Sequence, residues 1–110
     1  MRLLPYRADV DIFYVSKGFR QDEKFLTNEL FGDVVVDVST KNEIRGVEIM
    51  NAVSFFERFG VSEDFLRSVK SGDFAVCRRD NGEFVISLKM STKEKVRTCS
   101  FPLIETALLS

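Results

Sequence analysis

The residues best suited to chemistry in this chain are carboxylates and a phenol, because His is absent and only two Cys are present. Glu48 lies in the run Ile44-Arg45-Gly46-Val47-Glu48-Ile49-Met50. If Val38 pairs with Ile44 across the preceding turn, two-residue alternation puts Glu48 on one face with Val34, Val36, Ile44 and Met50. A carboxylate on an apolar face either finds donors or has a raised pKa. Glu48 therefore reads either as a buried acid or ligand anchor, helped by Tyr14, Tyr6 or Asn51, or as part of a structural hydrogen-bond network at Asn51. A turn longer or shorter by one residue reverses the face. In the same register Asp37 falls opposite Arg45, where a cross-strand ion pair is expected. Asp9 and Asp11, joined by Asp37 or Glu48, supply the oxygen chemistry that Mg²⁺ or Ca²⁺ prefers. No EF-hand spacing accompanies them, so solvated turn carboxylates are the plainer reading, and neither a metal nor a cofactor is expected.

The missing His excludes Ser-His-Asp, Cys-His and His-based zinc chemistry within one chain. Cys77 is expected to face Phe84, Ile86 and Leu88, as a small buried hydrophobe. Cys99 alternates with Lys95 and Arg97, whose charge would favour a thiolate, but with no His a catalytic thiol is not expected. Arg78, Arg79, Lys89, Lys93, Lys95 and Arg97 cluster in the C-terminal third. With Phe74 or Phe101 as a stacking platform they could form a nucleic-acid-binding face. Asp80, Glu83 and Glu94 interrupt the cluster, and edge-strand Lys commonly serves only to prevent aggregation.

Those side chains must be positioned by a small scaffold. The chain has 110 residues, 45% of them hydrophobic, with eleven Phe, two Tyr and no Trp. That length suits one domain with one core, and Phe gives burial area with no polar tip to satisfy. The net charge is −1, which provides no global attraction to nucleic acid or an anionic membrane. Residues 1–57 carry seven basic and ten acidic side chains and residues 58–110 carry nine and seven, a contrast too small to identify a partner. No apolar run reaches the ~18 residues of a membrane span, and the N-terminus has none long enough for a signal peptide. A soluble, cytoplasmic protein with reduced thiols is expected.

The pattern along the chain predicts an α+β fold dominated by antiparallel strands. β-Branched and aromatic runs predict strands over 11–16, 25–31, 34–38 and 44–50, the last two as a hairpin. A turn is expected at Arg7–Val10, a loop over Lys17–Lys24 and turns at Gly32-Asp33 and Ser39–Glu43. The period then changes to 3.6: Ala52, Phe55, Phe56 and Phe59 form one helical stripe, with Asn51 as N-cap and Gly60 as the stop. Ser62 caps a second short helix running to about Lys70, with Glu63 and Asp64 at its positive end. Strands over 73–79 and 83–90 flank Asn81-Gly82, a two-residue hairpin signal that pairs Cys77 with Ile86 and Ala75 with Leu88. A third strand over 94–101 completes a meander closed by Pro102. Leu103–Leu109 reads as a short helix or a terminal strand.

Two stretches resemble a known family. The first is Tyr6-Arg7-Ala8-Asp9-Val10-Asp11-Ile12-Phe13-Tyr14-Val15; the second is Val36-Asp37 and, after a turn, Gly46-Val47-Glu48-Ile49-Met50-Asn51-Ala52. Together they are similar to the small prokaryotic proteins catalogued as domain of unknown function 2283, over residues 6–52. The family's acidic Gly-containing turn is replaced by Ser39-Thr40-Lys41-Asn42, with Asn42 in the Gly place as the next best residue for positive φ. The family that the chain resembles has no established biochemical activity, and some members look like partners of toxin-type proteins.

The chain thus reads first as a non-enzymatic interaction module, a homo-oligomer or the partner of another protein. A nucleic-acid binder using Arg78, Arg79, Lys89, Lys95 and Arg97 is the alternative. A ligand- or metal-dependent enzyme around Glu48 is the least supported.

Overall fold

The structure is a computed structural model and describes residues 4–104. It is α+β. Strands β1 (Tyr6–Arg7), β2 (Ile12–Ser16), β3 (Phe25–Phe31), β4 (Val34–Ser39) and β5 (Ile44–Met50) form a five-stranded antiparallel sheet in the order β1-β2-β5-β4-β3. Helices α1 (Ala52–Glu57) and α2 (Glu63–Ser68) follow. Strands β6 (Ser71–Arg78), β7 (Phe84–Ser91) and β8 (Val96–Pro102) then form a three-stranded antiparallel meander. Of the segment expected as a terminal helix or strand, Leu103 and Ile104 are in neither, and 105–109 lie outside the described residues.

Ser62 and Gly60 act where the punctuation predicts, and Asn51 does not. Helix α2 ends at Ser68, short of the expected Lys70, with Gly72 inside β6 rather than at a helix stop. Ser62 caps α2, its hydroxyl accepting the Phe65 N–H at 3.1 Å. Gly60, at φ +72°, ends α1 in a Schellman motif. Its N–H donates to Glu57 O, and the Val61 N–H donates to Phe56 O. At the other end, Asn51 is left-handed (φ 51°) and makes no side-chain cap. The Asp11 carboxylate, from the chain just before β2, accepts the Val53 N–H instead at 3.0 Å. Asn51 donates to Asp33 at 3.2 Å.

Both major hairpins close through three-residue loops whose last residue is left-handed. Ser39 pairs with Glu43 around Thr40-Lys41-Asn42, with Asn42 at φ 61°. Arg79 pairs with Glu83 around Asp80-Asn81-Gly82, with Gly82 at φ +87°. In the second hairpin the expected two-residue Asn-Gly turn is wrong by one residue. Cys77 lies opposite Val85, Val76 opposite Ile86 and Phe74 opposite Leu88. A one-residue slip exchanges the two faces of β6, so Cys77 is exposed where burial was expected; Cys99, on β8 opposite Leu88, is buried.

The first hairpin does pair Val38 with Ile44, but the register then shifts and Asp37 lies opposite Gly46. Arg45 is the extra residue of a β-bulge, and beyond it every β5 side chain changes face relative to an unbulged ladder. Glu48 consequently sits opposite Val35 and Tyr14 and not on the face of Val34 and Val36. Asp37 does not pair with Arg45.

One hydrophobic cluster joins the inner faces of both sheets with the helices. Phe13, Val36, Val47 and Ile49 come from the first sheet, Phe56 and Leu66 from the helices, and Ile86, Leu88 and Met90 from the meander; all are essentially inaccessible. Phe56 meets Phe13 edge-on at 5.3 Å, and Phe55 meets Phe101 edge-on at 5.1 Å. The Phe stripe of α1 is therefore the seam between the two sheets. Gly72 lets β6 approach β2, for a Cβ there would lie 2.7 Å from Val15 Cγ2.

Candidate functional site

The outer face of the five-stranded sheet collects three of the four polar candidates. Directly opposed residues share a face, so Tyr14 on β2, Glu48 and Gly46 on β5, and Val35 and Asp37 on β4 lie together. The Tyr14 hydroxyl donates to Asp37 Oδ2 at 2.8 Å, from one strand to the next but one. The bond passes over Gly46, where a Cβ would collide with Asp37 Oδ2 and stand 3.0 Å from the Tyr14 oxygen. Gly46 is thus the window through which the bond forms. Burial, and then the Asp37 carboxylate, push the Tyr14 pKa up, while a bond from Ser16 opposes them. Glu48 is half-buried beside Tyr14 and lines a cavity of about 470 Å³ with Arg7, Ile12 and Lys70.

Asn51 does not join this group; it is exposed and bonded to Asp33. Asp11 is taken up by the start of α1 and by the Tyr6 hydroxyl at 2.9 Å. Burial, then that bond, raise the Tyr6 pKa to about 12. Asp9 pairs with Arg7 at the surface. Asp9, Asp11, Asp37 and Glu48 therefore do not converge, and among the described residues no group of three or more His, Cys, Asp or Glu is placed to hold a metal ion. Burial raises the Cys99 pKa against the pull of Arg97, the opposite of the activation its neighbours suggested.

The basic candidates of the meander are scattered. Arg78 lies over Phe84 at 5.6 Å, and Arg97 lies over Phe65 at 5.8 Å and donates to Phe59 O. Arg79 pairs with Glu83 at 3.0 Å. Lys89 is directly opposite Asp73 on the other face from Arg97, which is opposite Met90. Lys95 sits in the turn before β8, where its carbonyl accepts the Thr92 N–H. Phe74 and Phe101, the expected stacking platform, are buried.

Two further features were not located by the sequence reading, which expected exposed strand edges without saying which strand carries them. Glu23, in the polar segment read as a loop, has a fully buried side chain facing Arg45 Nε at 3.1 Å. Its Oε1 accepts the Arg20 N–H at 2.9 Å, while Oε2 is buried without a well-formed hydrogen bond. The Arg20 N–H, then the Ser39 hydroxyl and the Arg45 guanidinium, hold the carboxyl below its ordinary range against burial. The bulge aims Arg45 at this loop, where its Nε also donates to Gly18 O at 2.9 Å. The only hint in sequence is an acid and a base flanking loops of Gly, Ser and Asn.

The second feature is the free edge of β3. This strand pairs with β4 alone, and Phe25, Leu26 and Leu30 are 50%, 54% and 64% exposed. Beneath its inner face, a groove of about 740 Å³ runs between Phe31, Val36 and Ile44 on one side and Val76 and Phe84 on the other. Compared with known protein families, curated proteins and solved structures, the chain matches none of them. Among the described residues no helix is long and apolar enough to cross a membrane.

Proposed function

We propose that the protein is a non-catalytic interaction module, cytoplasmic with both thiols reduced, that binds a protein through the free edge of β3. One observation carries this reading: a seven-residue edge strand, Phe25–Phe31, whose Phe25, Leu26 and Leu30 side chains stand in solvent. An edge strand presents unpaired N–H and C=O groups, and proteins normally blunt such edges with Lys, Pro or very short strands. Within Phe25-Leu26-Thr27-Asn28-Glu29-Leu30-Phe31 there is no Lys and no Pro. Adding a strand to such an edge is a recurrent mode of recognition, with backbone bonds supplying affinity and alternate side chains supplying selectivity. The likeness to domain of unknown function 2283 over residues 6–52 is compatible with a non-catalytic role and rests on its motif residues alone. The nucleic-acid alternative is less favoured because its stacking residues are buried and Arg79 and Lys89 each face a carboxylate.

The test is sedimentation of the purified chain, together with recovery from its host after nuclease treatment, for wild type and for Leu30→Lys. Self-association or a stoichiometric protein that survives nuclease, and that Leu30→Lys removes, is the expected result. Recovery of nucleic acid lost with Arg78→Ala or Arg97→Ala, with Leu30→Lys inert, would overturn it.

A further inference from the structure

We infer that the partner on the β3 edge is a second copy of this chain, paired antiparallel about a two-fold axis at Asn28. The inference rests on the interaction reading above and specifies it. Read from either end, the strand is nearly the same: Phe25 and Phe31 are outermost, Leu26 and Leu30 next, Thr27 and Glu29 next, and Asn28 is central. An isologous contact between two copies brings the same strand to itself in reverse. Centred on Asn28, it sets Phe25 opposite Phe31 of the second copy and Leu26 opposite Leu30 of the second copy. Thr27 then meets Glu29 of the second copy. No residue is left opposite a side chain of different character except that one polar pair. The two Glu29 carboxylates are kept from lying directly opposite, the arrangement that like charges disfavour.

The backbone agrees with this centre. The Met50 N–H donates to Asp33 O, so Asp33, Val35 and Asp37 direct their backbone toward β5. Alternation turns Val34, Val36 and Val38 toward their β3 partners Phe31, Glu29 and Thr27. The remaining residues, Asn28 and Leu30, therefore present their N–H and C=O at the free edge. Asn28 opposite Asn28 is then a hydrogen-bonded pair on the two-fold axis, and the outer faces of the two sheets run on into each other. Leu30 lies on the outer face with Val35, so the contact also covers the most exposed large apolar side chain named above.

The geometry closes at two copies. The register shift between Phe25 and Thr27 ends regular backbone pairing at Leu26, so Phe25 and Phe31 of the second copy only flank the ladder. The opposite edge of the same sheet is β1, two residues long, which is too short to continue a ladder. One sheet of ten strands results, and no fibre.

The test uses the full chain with Cys77→Ser, so that no exposed native thiol remains. A Thr27→Cys chain is mixed with a Glu29→Cys chain and oxidised, and each is also oxidised alone. In the proposed register the mixed pair lies about 4.5 Å apart at Cα, within the range of about 4.4–6.8 Å that a disulfide spans. The mixture is expected to cross-link, Asn28→Cys is expected to cross-link with itself, and Thr27→Cys or Glu29→Cys alone is not. Wild type should shift from monomer to dimer with rising concentration, and Leu30→Lys should remain monomeric. Far-UV circular dichroism confirms that each variant is folded. A dimer whose Thr27→Cys chain cross-links with itself would overturn the register while leaving β3 as the interface. A monomeric chain whose β3 holds a different protein would overturn self-pairing alone. A monomer whose protein partner is unaffected by Leu30→Lys would overturn both.

Discussion

Gly46 shows how much one missing side chain can determine. The Tyr14–Asp37 bond spans a whole strand, and it exists only because the residue beneath it has no Cβ. Gly46→Ala should therefore lower stability by about 1–3 kcal/mol, as expected for overpacking at a tight site. Tyr14→Phe made in the Gly46→Ala background should add little, because the bond is already lost. A double-mutant cycle in urea reads the coupling; full additivity would show that the bond and the window are unrelated. Glu23 carries a pH dependence. Its carboxyl pKa is depressed in the folded protein, so the stability it contributes is complete above its ordinary carboxylate pKa. That contribution falls as pH drops through the lower folded value. Glu23→Gln should flatten the acid limb of stability against pH and lower stability at neutral pH, with Arg45 still held by Glu43 and the Gly18 carbonyl. An acid limb unchanged by the substitution would show that other carboxylates set it.

At the scale of elements, strands and helices were legible because each carries a local signal. Phe25–Phe31 and Ile44–Met50 fall where the β-branched and aromatic runs place them, and Ser62 and Gly60 bound their helices as punctuation predicts. Facing was not legible, because it depends on counting residues through two loops and one bulge. Asn81-Gly82 is a strong two-residue turn signal, yet Asp80 joins it and Gly82 takes the left-handed place of a three-residue loop. One residue was enough to turn Cys77 outward and to separate Glu48 from Val34. The loop-to-strand contact of Glu23 with Arg45 had no more signal than an acid and a base near Gly, Ser and Asn, since it requires the bulge that aims Arg45. Thiol titration checks the corrected register. Native protein should react once with an aromatic disulfide reagent, at Cys77, and twice when denatured. Cys77→Ser should abolish the native reaction, and a native reaction that survived it would return Cys77 to the interior.

The whole molecule is held together where β6 crosses β2 and where the Phe residues of α1 fill the seam. Gly72 is the tightest point of that crossing, with Val15 and Phe13 on one side and the Lys89 carbonyl on the other. Gly72→Ala should lower the unfolding midpoint by separating the sheets, at about 1–3 kcal/mol. Both sheets should still unfold in one transition. Retention of the wild-type midpoint would mean that Val15 moves aside freely. The cap of α1 has a different kind of consequence. A six-residue helix is far too short to persist alone in water, and the group that closes its first turn, Asp11, is 42 residues away along the chain. Its birth is tied to events elsewhere: α1 has no stable existence until the chain around Asp11 has returned to β5. The stability of α1, and of the Phe seam it carries, is therefore borrowed from the sheet rather than from its own six residues.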